Sequence, residues 1–271
     1  MQSSQINQLK HLLAADDVQI LAQDNGGNSK VFCAKANEKK WAIKSYPPYA
    51  PNQRDRLAAE SIAYQFLNQY KINAVPTFKA VCESERWLII DWIDGQLPNT
   101  YSDHDIQQAI EFIRQVAALN HLPEAKELPS AAEACLSLDI IINQITKRLE
   151  RLESFAENEP LLTAFLKNEF TPLFDQRCTE AIAGYLQHQI DPKINLSLNL
   201  QSLIPADFGF HNALRDQEGK LYFFDFDYFG WDDPVKLLAD ILWHPKMKLS
   251  VTQKQHFIDG IANVYHYFTR H

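Results

Sequence analysis

The chain has 271 residues, 46% hydrophobic and 22% charged, and a net charge of −8 at pH 7. That length supports a large core in one domain or two lobes, and the acidic excess counts against a nucleic-acid binder, which needs a basic face. Cys33, Cys82, Cys135 and Cys178 stand too far apart for zinc-type pairs, the first residues lack the apolar core of a signal peptide, and no run approaches about 18 apolar residues, so reduced thiols in a cytoplasmic protein without a membrane span are expected.

In chain order, residues 4–15 carry Ile6, Leu9, Leu12 and Leu13 at helical spacing behind Ser3 and Ser4. Val18–Ala22, Val31–Ala34 and Trp41–Lys44 read as strands, separated by the polar turns Asp24–Lys30 and Asn37–Lys40. The first turn holds Gly26 and Gly27, followed by Ser29. It reads either as an ordinary hairpin turn or as a loop laying backbone N–H groups over phosphates. Lys44 ends its strand as a solvated side chain or as a point charge for phosphates. Glu60 sits sixteen residues later, in a predicted helix spanning roughly residues 54–67, beside the stripe Ala59, Ile62, Ala63, Phe66 and Leu67. It is placed either to face the sheet and hold Lys44 or to stay exposed and pair with Arg56.

Val75–Cys82 and Arg86–Ile93 read as two further strands around Glu83–Glu85. From Ser102 the pattern turns helical: Ser102 or Asp103 to about Asn120, then a capping-box pattern at Ser130–Glu133 opening a helix to about Phe155. A further helix starts at Pro160 and is broken or kinked at Pro172. Lys236–Trp243 and Thr252–Phe268 complete the helical set, with Asp240 interrupting an apolar face.

The chemistry concentrates in Pro205-Ala-Asp-Phe-Gly-Phe-His-Asn-Ala-Leu214 and Leu221-Tyr-Phe-Phe-Asp-Phe-Asp-Tyr-Phe-Gly-Trp-Asp-Asp-Pro234. Asp207 stands five residues before Asn212, and Asp225 and Asp227 follow inside the apolar run Tyr222, Phe223, Phe224 and Phe226, which reads as a buried strand. Ionised carboxylates there are costly without a partner. Mg²⁺ suits the set, because it takes one or two carboxylates and substrate phosphates.

This constellation resembles the protein-kinase-like fold in its aminoglycoside phosphotransferase and choline kinase branch. Asp207 with Asn212 matches the catalytic loop, and Phe224-Asp-Phe-Asp227 the metal-binding segment. The resemblance implies an α+β, two-lobed fold: residues 1–95 as a nucleotide-binding lobe with a five-stranded antiparallel sheet plus one helix, and residues 96–271 as a mainly helical lobe. A hinge at 91–95 would present the backbone of Asp91, Trp92 and Ile93 to adenine. It implies transfer of the γ-phosphate of ATP, with Mg²⁺, to a hydroxyl of a small molecule such as an amino alcohol, a sugar or an aminoglycoside-like compound. Asp207 is then the catalytic base, Lys44 and Glu60 the phosphate-holding pair, and Asn212, Asp225 and Asp227 the metal ligands, with a salt bridge the alternative for Asp227. His211 reads as a loop or substrate-side residue. Asp232 and Asp233 weigh toward a cationic acceptor, or else cap the following helix. The family's usual histidine two residues before the catalytic aspartate is replaced here by Pro205, which motivates the alternative of a nucleotide-binding pseudokinase scaffold without turnover.

Overall fold

The computed structural model describes residues 1–25, 29–49, 53–156 and 159–265. The first amphipathic stretch folds as α1 (Ser3–Leu13) and buries Leu9 and Leu13. Strands β1 (Gln19–Asn25), β2 (Lys30–Ala36) and β3 (Lys39–Ser45) follow. The β2–β3 turn uses two left-handed residues, Asn37 and Glu38 (φ 51° and 59°), the backbone that a two-residue hairpin demands. Helix α2 (Arg56–Gln69) is capped by Asp55, whose carboxylate accepts from the Leu57 and Ala58 amides. Strands β4 (Phe78–Cys82) and β5 (Trp87–Asp91) complete an antiparallel sheet in the order β1-β2-β3-β5-β4. The five-stranded antiparallel sheet with one helix expected from the sequence is therefore present.

Strand alternation decides what each sheet face carries. Leu9 and Leu13 of α1 pack with Ala34, Ala36, Ile43, Cys82, Trp87 and Ile89, with Phe32 and Trp41 against them. Lys44, next to Ile43, therefore projects from the opposite face.

Helix α3 (Asp103–Ala117) begins at Ser102, whose hydroxyl accepts the Asp105 amide while Asp105 accepts the Ser102 amide. The helices α4 (Leu138–Ala156), α5 (Pro160–Phe165) and α6 (Thr171–Gln187) follow, then the short strands β6 (Ser202–Ile204), β7 (Ala213–Arg215), β8 (Leu221–Phe223) and β9 (Gly230–Asp232), and finally α7 (Pro234–Trp243) and α8 (Val251–Tyr265). β6 pairs with β9 and β7 with β8. Residues 1–133 with 202–271 form one compact unit and residues 134–201 another. Among the described residues no helix is long and apolar enough to cross a membrane.

Two expectations need correction, while the interruption expected at Pro172 is present just before it. Ser130–Glu133 opens no helix: Pro129 C=O accepts the Trp231 amide and the Ala131 amide donates to Trp231 C=O, so this backbone is spent on β9. Gly230 permits that approach, since a Cβ there would lie 2.4 Å from the Pro129 oxygen. α4 starts instead at Leu138, where the Ser137 hydroxyl accepts the Ile140 amide. Within 134–201, Pro172 sits in the first turn of α6, after a single π-helical turn over Leu166–Phe170. The apolar run at Tyr222–Phe226 is strand only as far as Phe223, because Asp225 adopts a left-handed conformation (φ 71°) that a strand does not tolerate.

Candidate active site

The strand end at β8 and the loop after β6 are pinned to α3 by aromatic packing. Phe112 of α3 lies 4.7 Å from the Phe223 ring, 5.6 Å from Phe208 and 6.1 Å from Phe226, centroid to centroid. Phe208 follows Asp207, and Phe226 separates Asp225 from Asp227. The aromatic residues between the acids are thus core anchors, and the polar residues between the aromatics are what the anchors position. Between Ser202 and Phe210, Asp207 alone is exposed. It follows Ala206, and both are left-handed (φ 45° and 25°), a strained pair held by the buried residues around it.

Asn212 closes the loop. Its Nδ2 donates to Asp207 C=O at 2.9 Å, and its own C=O accepts the Phe224 amide at 3.0 Å. That second bond ties Asn212 to the segment carrying Asp225. Because the amide nitrogen is committed to Asp207, Oδ1 is the atom Asn212 offers as a ligand.

Lys44 is buried, and its ammonium donates to both oxygens of Glu60 at 2.7 Å and to Asp225 Oδ1 at 2.8 Å. Glu60, on α2, is fully buried and also accepts the Phe226 amide at 3.2 Å. Burial works against the Lys44 charge, but the Glu60 and Asp225 carboxylates outweigh it and hold the ammonium well above its ordinary value. Burial pushes Glu60 upward, to about 7, against the pull of Lys44. Asp225 is about a third exposed, so this one carboxylate faces both the buried lysine and solvent.

Asp227 is buried, and its Oδ2 accepts from Arg56 Nη1 at 2.5 Å while Arg56 Nη2 donates to the Tyr228 hydroxyl at 3.0 Å. Burial, then the adjacent Asp225, push the Asp227 carboxyl above its usual range despite Arg56. Arg56 is therefore the partner of Asp227 rather than of Glu60. Asp232 is fully buried, and Asp233 caps α7 by accepting the Val235 amide, so neither forms an exposed acidic cluster. Asp240 is partly exposed and pairs with Lys236.

At the expected hinge, the Asp91 amide donates to Thr77 C=O and the Trp92 amide to Lys40 C=O, so both are spent within the sheet. Of the three residues, Ile93 is the one left to donate toward a base edge. Trp92–Gln96 line an open cleft of about 680 Å³ with Arg215 and Asp216, and neither Asp207 nor Asp225 lines it. Gly95 is required where this segment bridges to Arg215, because a Cβ would lie 2.8 Å from the Arg215 oxygen. Ser29 is half-buried just before β2, and Gly26 and Gly27 lie outside the described residues.

One residue escaped the sequence. His244, just past α7, stacks on His211 with ring centroids 4.1 Å apart and planes parallel. Both Nε2 atoms face Asp207 Oδ1, at 3.2 Å for His211 and 3.6 Å for His244. No spacing connects position 244 to the loop at 207–212; only the folding of α7 brings it there. Burial opposes the Asp207 charge, but the His211 hydrogen bond and the two imidazoles hold its carboxyl below the usual range.

The profile of the Phosphotransferase enzyme family matches residues 20–271. No curated protein sequence matches significantly. Among solved structures, the gentamicin complex of APH(2")-IIa aligns over 99% of this chain and 83% of its own, at 15% identity and a TM-score of 0.59. The macrolide 2'-phosphotransferase MphH of Brachybacterium faecium aligns over 97% and 83%, at 14% identity and a TM-score of 0.60. The choline kinase LicA of Streptococcus pneumoniae aligns over 94% and 78%, at 12% identity and a TM-score of 0.55. These likenesses establish the fold as kinase-like, α+β.

Proposed function

This chain belongs to the phosphotransferase enzyme family, and from that premise we propose that it moves the γ-phosphate of ATP to a hydroxyl of a small molecule. The observation that carries the reading is the buried Lys44 ammonium shared between Glu60 and Asp225, in one compact unit with Asp207 and Asn212. A buried Lys–Glu pair whose lysine also meets a carboxylate about a third exposed suits a site that receives polyanionic phosphates and a cation.

Asp207 accepts the proton of the acceptor hydroxyl as its oxygen attacks the γ-phosphorus and ADP departs. Lys44 holds the phosphates as a point charge, and Glu60 fixes Lys44. Ser29 lies over the phosphates, and the stretch Asp91, Trp92 and Ile93 takes the adenine edge through Ile93. The donor set of one carboxylate, Asp225, and one amide oxygen, Asn212, fits Mg²⁺, which completes its shell with waters and phosphates. Asp225 and Asn212 would hold the ion, and the chemistry it would supply is neutralisation of charge developing on the transferred group. The acceptor is an amino alcohol, a sugar or an aminoglycoside-like compound. The kinds of acceptor named for the neighbouring structures, an aminoglycoside, a macrolide and choline, support that range.

The test is a panel of hydroxylated metabolites and aminoglycosides with γ-labelled ATP and Mg²⁺. Label should move to one acceptor class, and Asp207→Asn should lower kcat by about 10²–10⁴ while leaving nucleotide affinity within a few-fold. No transfer to any acceptor, with no slow Mg²⁺-dependent hydrolysis, refutes the reading. Nucleotide binding without turnover supports the pseudokinase scaffold suggested by Pro205.

A further inference from the structure

The group Asp207, His211 and His244 has the composition of a metal site, with ligand atoms all within 4.8 Å of one another. Its hydrogen bonding points elsewhere. The Lys246 amide donates to His244 Nδ1 at 3.2 Å, so in a neutral ring the proton sits on Nε2, facing Asp207. His211 Nδ1 is buried without a partner while its Nε2 lies 3.2 Å from Asp207 Oδ1, which places its proton on Nε2 as well. A metal ligated through these Nε2 atoms requires both protons to move to Nδ1, where that of His244 would meet the Lys246 N–H.

Two imidazole Nε2 atoms converge on a single carboxylate oxygen, that of His211 within hydrogen-bond distance at 3.2 Å and that of His244 just outside it at 3.6 Å. We infer that His244, stacked on His211, is a positioning residue for the base of phosphoryl transfer: the two Nε2–H groups fix Asp207 through Oδ1, so that Oδ2 is the atom that meets the acceptor hydroxyl. This rests on the phosphotransferase reading above. Asp207 needs such a clamp because it is exposed and sits on a left-handed backbone, where its rotamer is not set by packing. Oδ2 receives the longer contact, 3.4 Å from Asn212 Nδ2. The loop is shaped for the ring beneath it: a Cβ at Gly209 would lie 2.8 Å from both His211 Nδ1 and Met247 Sδ. His244 reaches the loop from the end of α7, so two separate chain segments converge on one oxygen.

Two substitutions separate the donor from the stack. Phe at 244 keeps an aromatic ring over His211 and removes the donor, whereas Gln restores an N–H. His244→Phe should lower kcat tenfold or more with the KM for ATP within twofold of wild type, and His244→Gln should recover most of that kcat. Equal impairment of both variants, or a kcat within twofold for His244→Phe, overturns the clamp. Should wild type show no turnover, the phosphotransferase reading falls, and long-range ¹H–¹⁵N spectra decide the clamp without activity. The expected signature is Nε2–H on both rings, with both resonances moving in Asp207→Asn. An Nδ1–H form of His244, or joint shifts of the two rings on adding Zn²⁺ alone, overturns it.

Discussion

Lys44 and Asp225 meet at 2.8 Å although 181 residues separate them in the chain. The same ammonium holds Glu60, so an interior acid, an interior base and a solvent-facing acid share one centre. Removing the cation leaves Glu60 fully buried without its partner, so its carboxyl must carry an uncompensated charge or take up a proton. Lys44→Met should destabilise the fold by roughly 3–5 kcal/mol, the usual cost of breaking a buried pair from one side. Lys44→Met with Glu60→Gln should regain part of that loss, because the orphaned charge is gone, yet nucleotide affinity should stay weak in both. Urea unfolding and nucleotide titration of the two proteins check this; a double variant no more stable than the single one contradicts it.

The same centre sets a pH dependence. Burial pushes the Glu60 carboxyl up to about 7 in the folded chain, above the ordinary glutamate value near 4.5. Between those two values the folded state binds the extra proton, so stability falls as pH rises through the window. The full span corresponds to about 3 kcal/mol. Glu60→Gln mimics the protonated side chain and removes this component. The stability difference between wild type and Glu60→Gln should therefore shift against wild type between pH 4.5 and 7 and level off above, as unfolding curves at each pH would show. A difference flat across that range contradicts the assignment.

How much of this was legible in the sequence depends on whether a residue's neighbours lie near it in the chain. Asp207 with Asn212 is a local loop closed by one side-chain hydrogen bond, and its spacing is visible. Lys44 is legible through strand alternation, since Ile43 takes the face under α1. Glu60 needed a choice between two partners, Lys44 and Arg56, which only the packing of α2 against the sheet resolves. The left-handed turn at Asp225 was hidden because a run of aromatic residues looks like a strand, whereas here those rings anchor to Phe112. Ser130 looked like a helix cap because a capping box is a local pattern, and its pairing with Trp231 is not. His244 carried no signal at all.

Phe112 is the hub through which α3 meets the loop carrying Asp207, touching Phe208, Phe223 and Phe226. It is 1% exposed, so truncation leaves a cavity that the ring stack cannot fill. Phe112→Ala should cost about 3–5 kcal/mol. Because Phe208 and Phe226 flank Asp207 and Asp225, kcat should fall more than stability alone explains, even at a temperature where the variant is fully folded. Phe112→Leu, which keeps most of the volume, should recover the greater part of both. Calorimetry beside initial rates makes the comparison, and a Phe112→Ala protein with wild-type turnover rules out the hub.

The last relationship concerns Asp227, paired with Arg56, against Asp225, the carboxylate proposed to meet the cation. Asp227 is buried and faces Arg56, whose guanidinium also reaches the Tyr228 hydroxyl and is itself about a third exposed. Losing the cation strands the acid: Arg56→Met should destabilise by about 1–3 kcal/mol, the lower end of what a buried pair loses because solvent screens the arginine. Asp227→Asn should cost less, since an amide still accepts from Arg56, and combining it with Arg56→Met should be less than additive because the two side chains form one contact. The Mg²⁺ concentration giving half-maximal turnover distinguishes the roles. It should rise steeply in Asp225→Asn and stay within threefold of wild type in Asp227→Asn. A tenfold rise in Asp227→Asn would instead place Asp227 on a second cation, with Arg56 holding only its remaining oxygen.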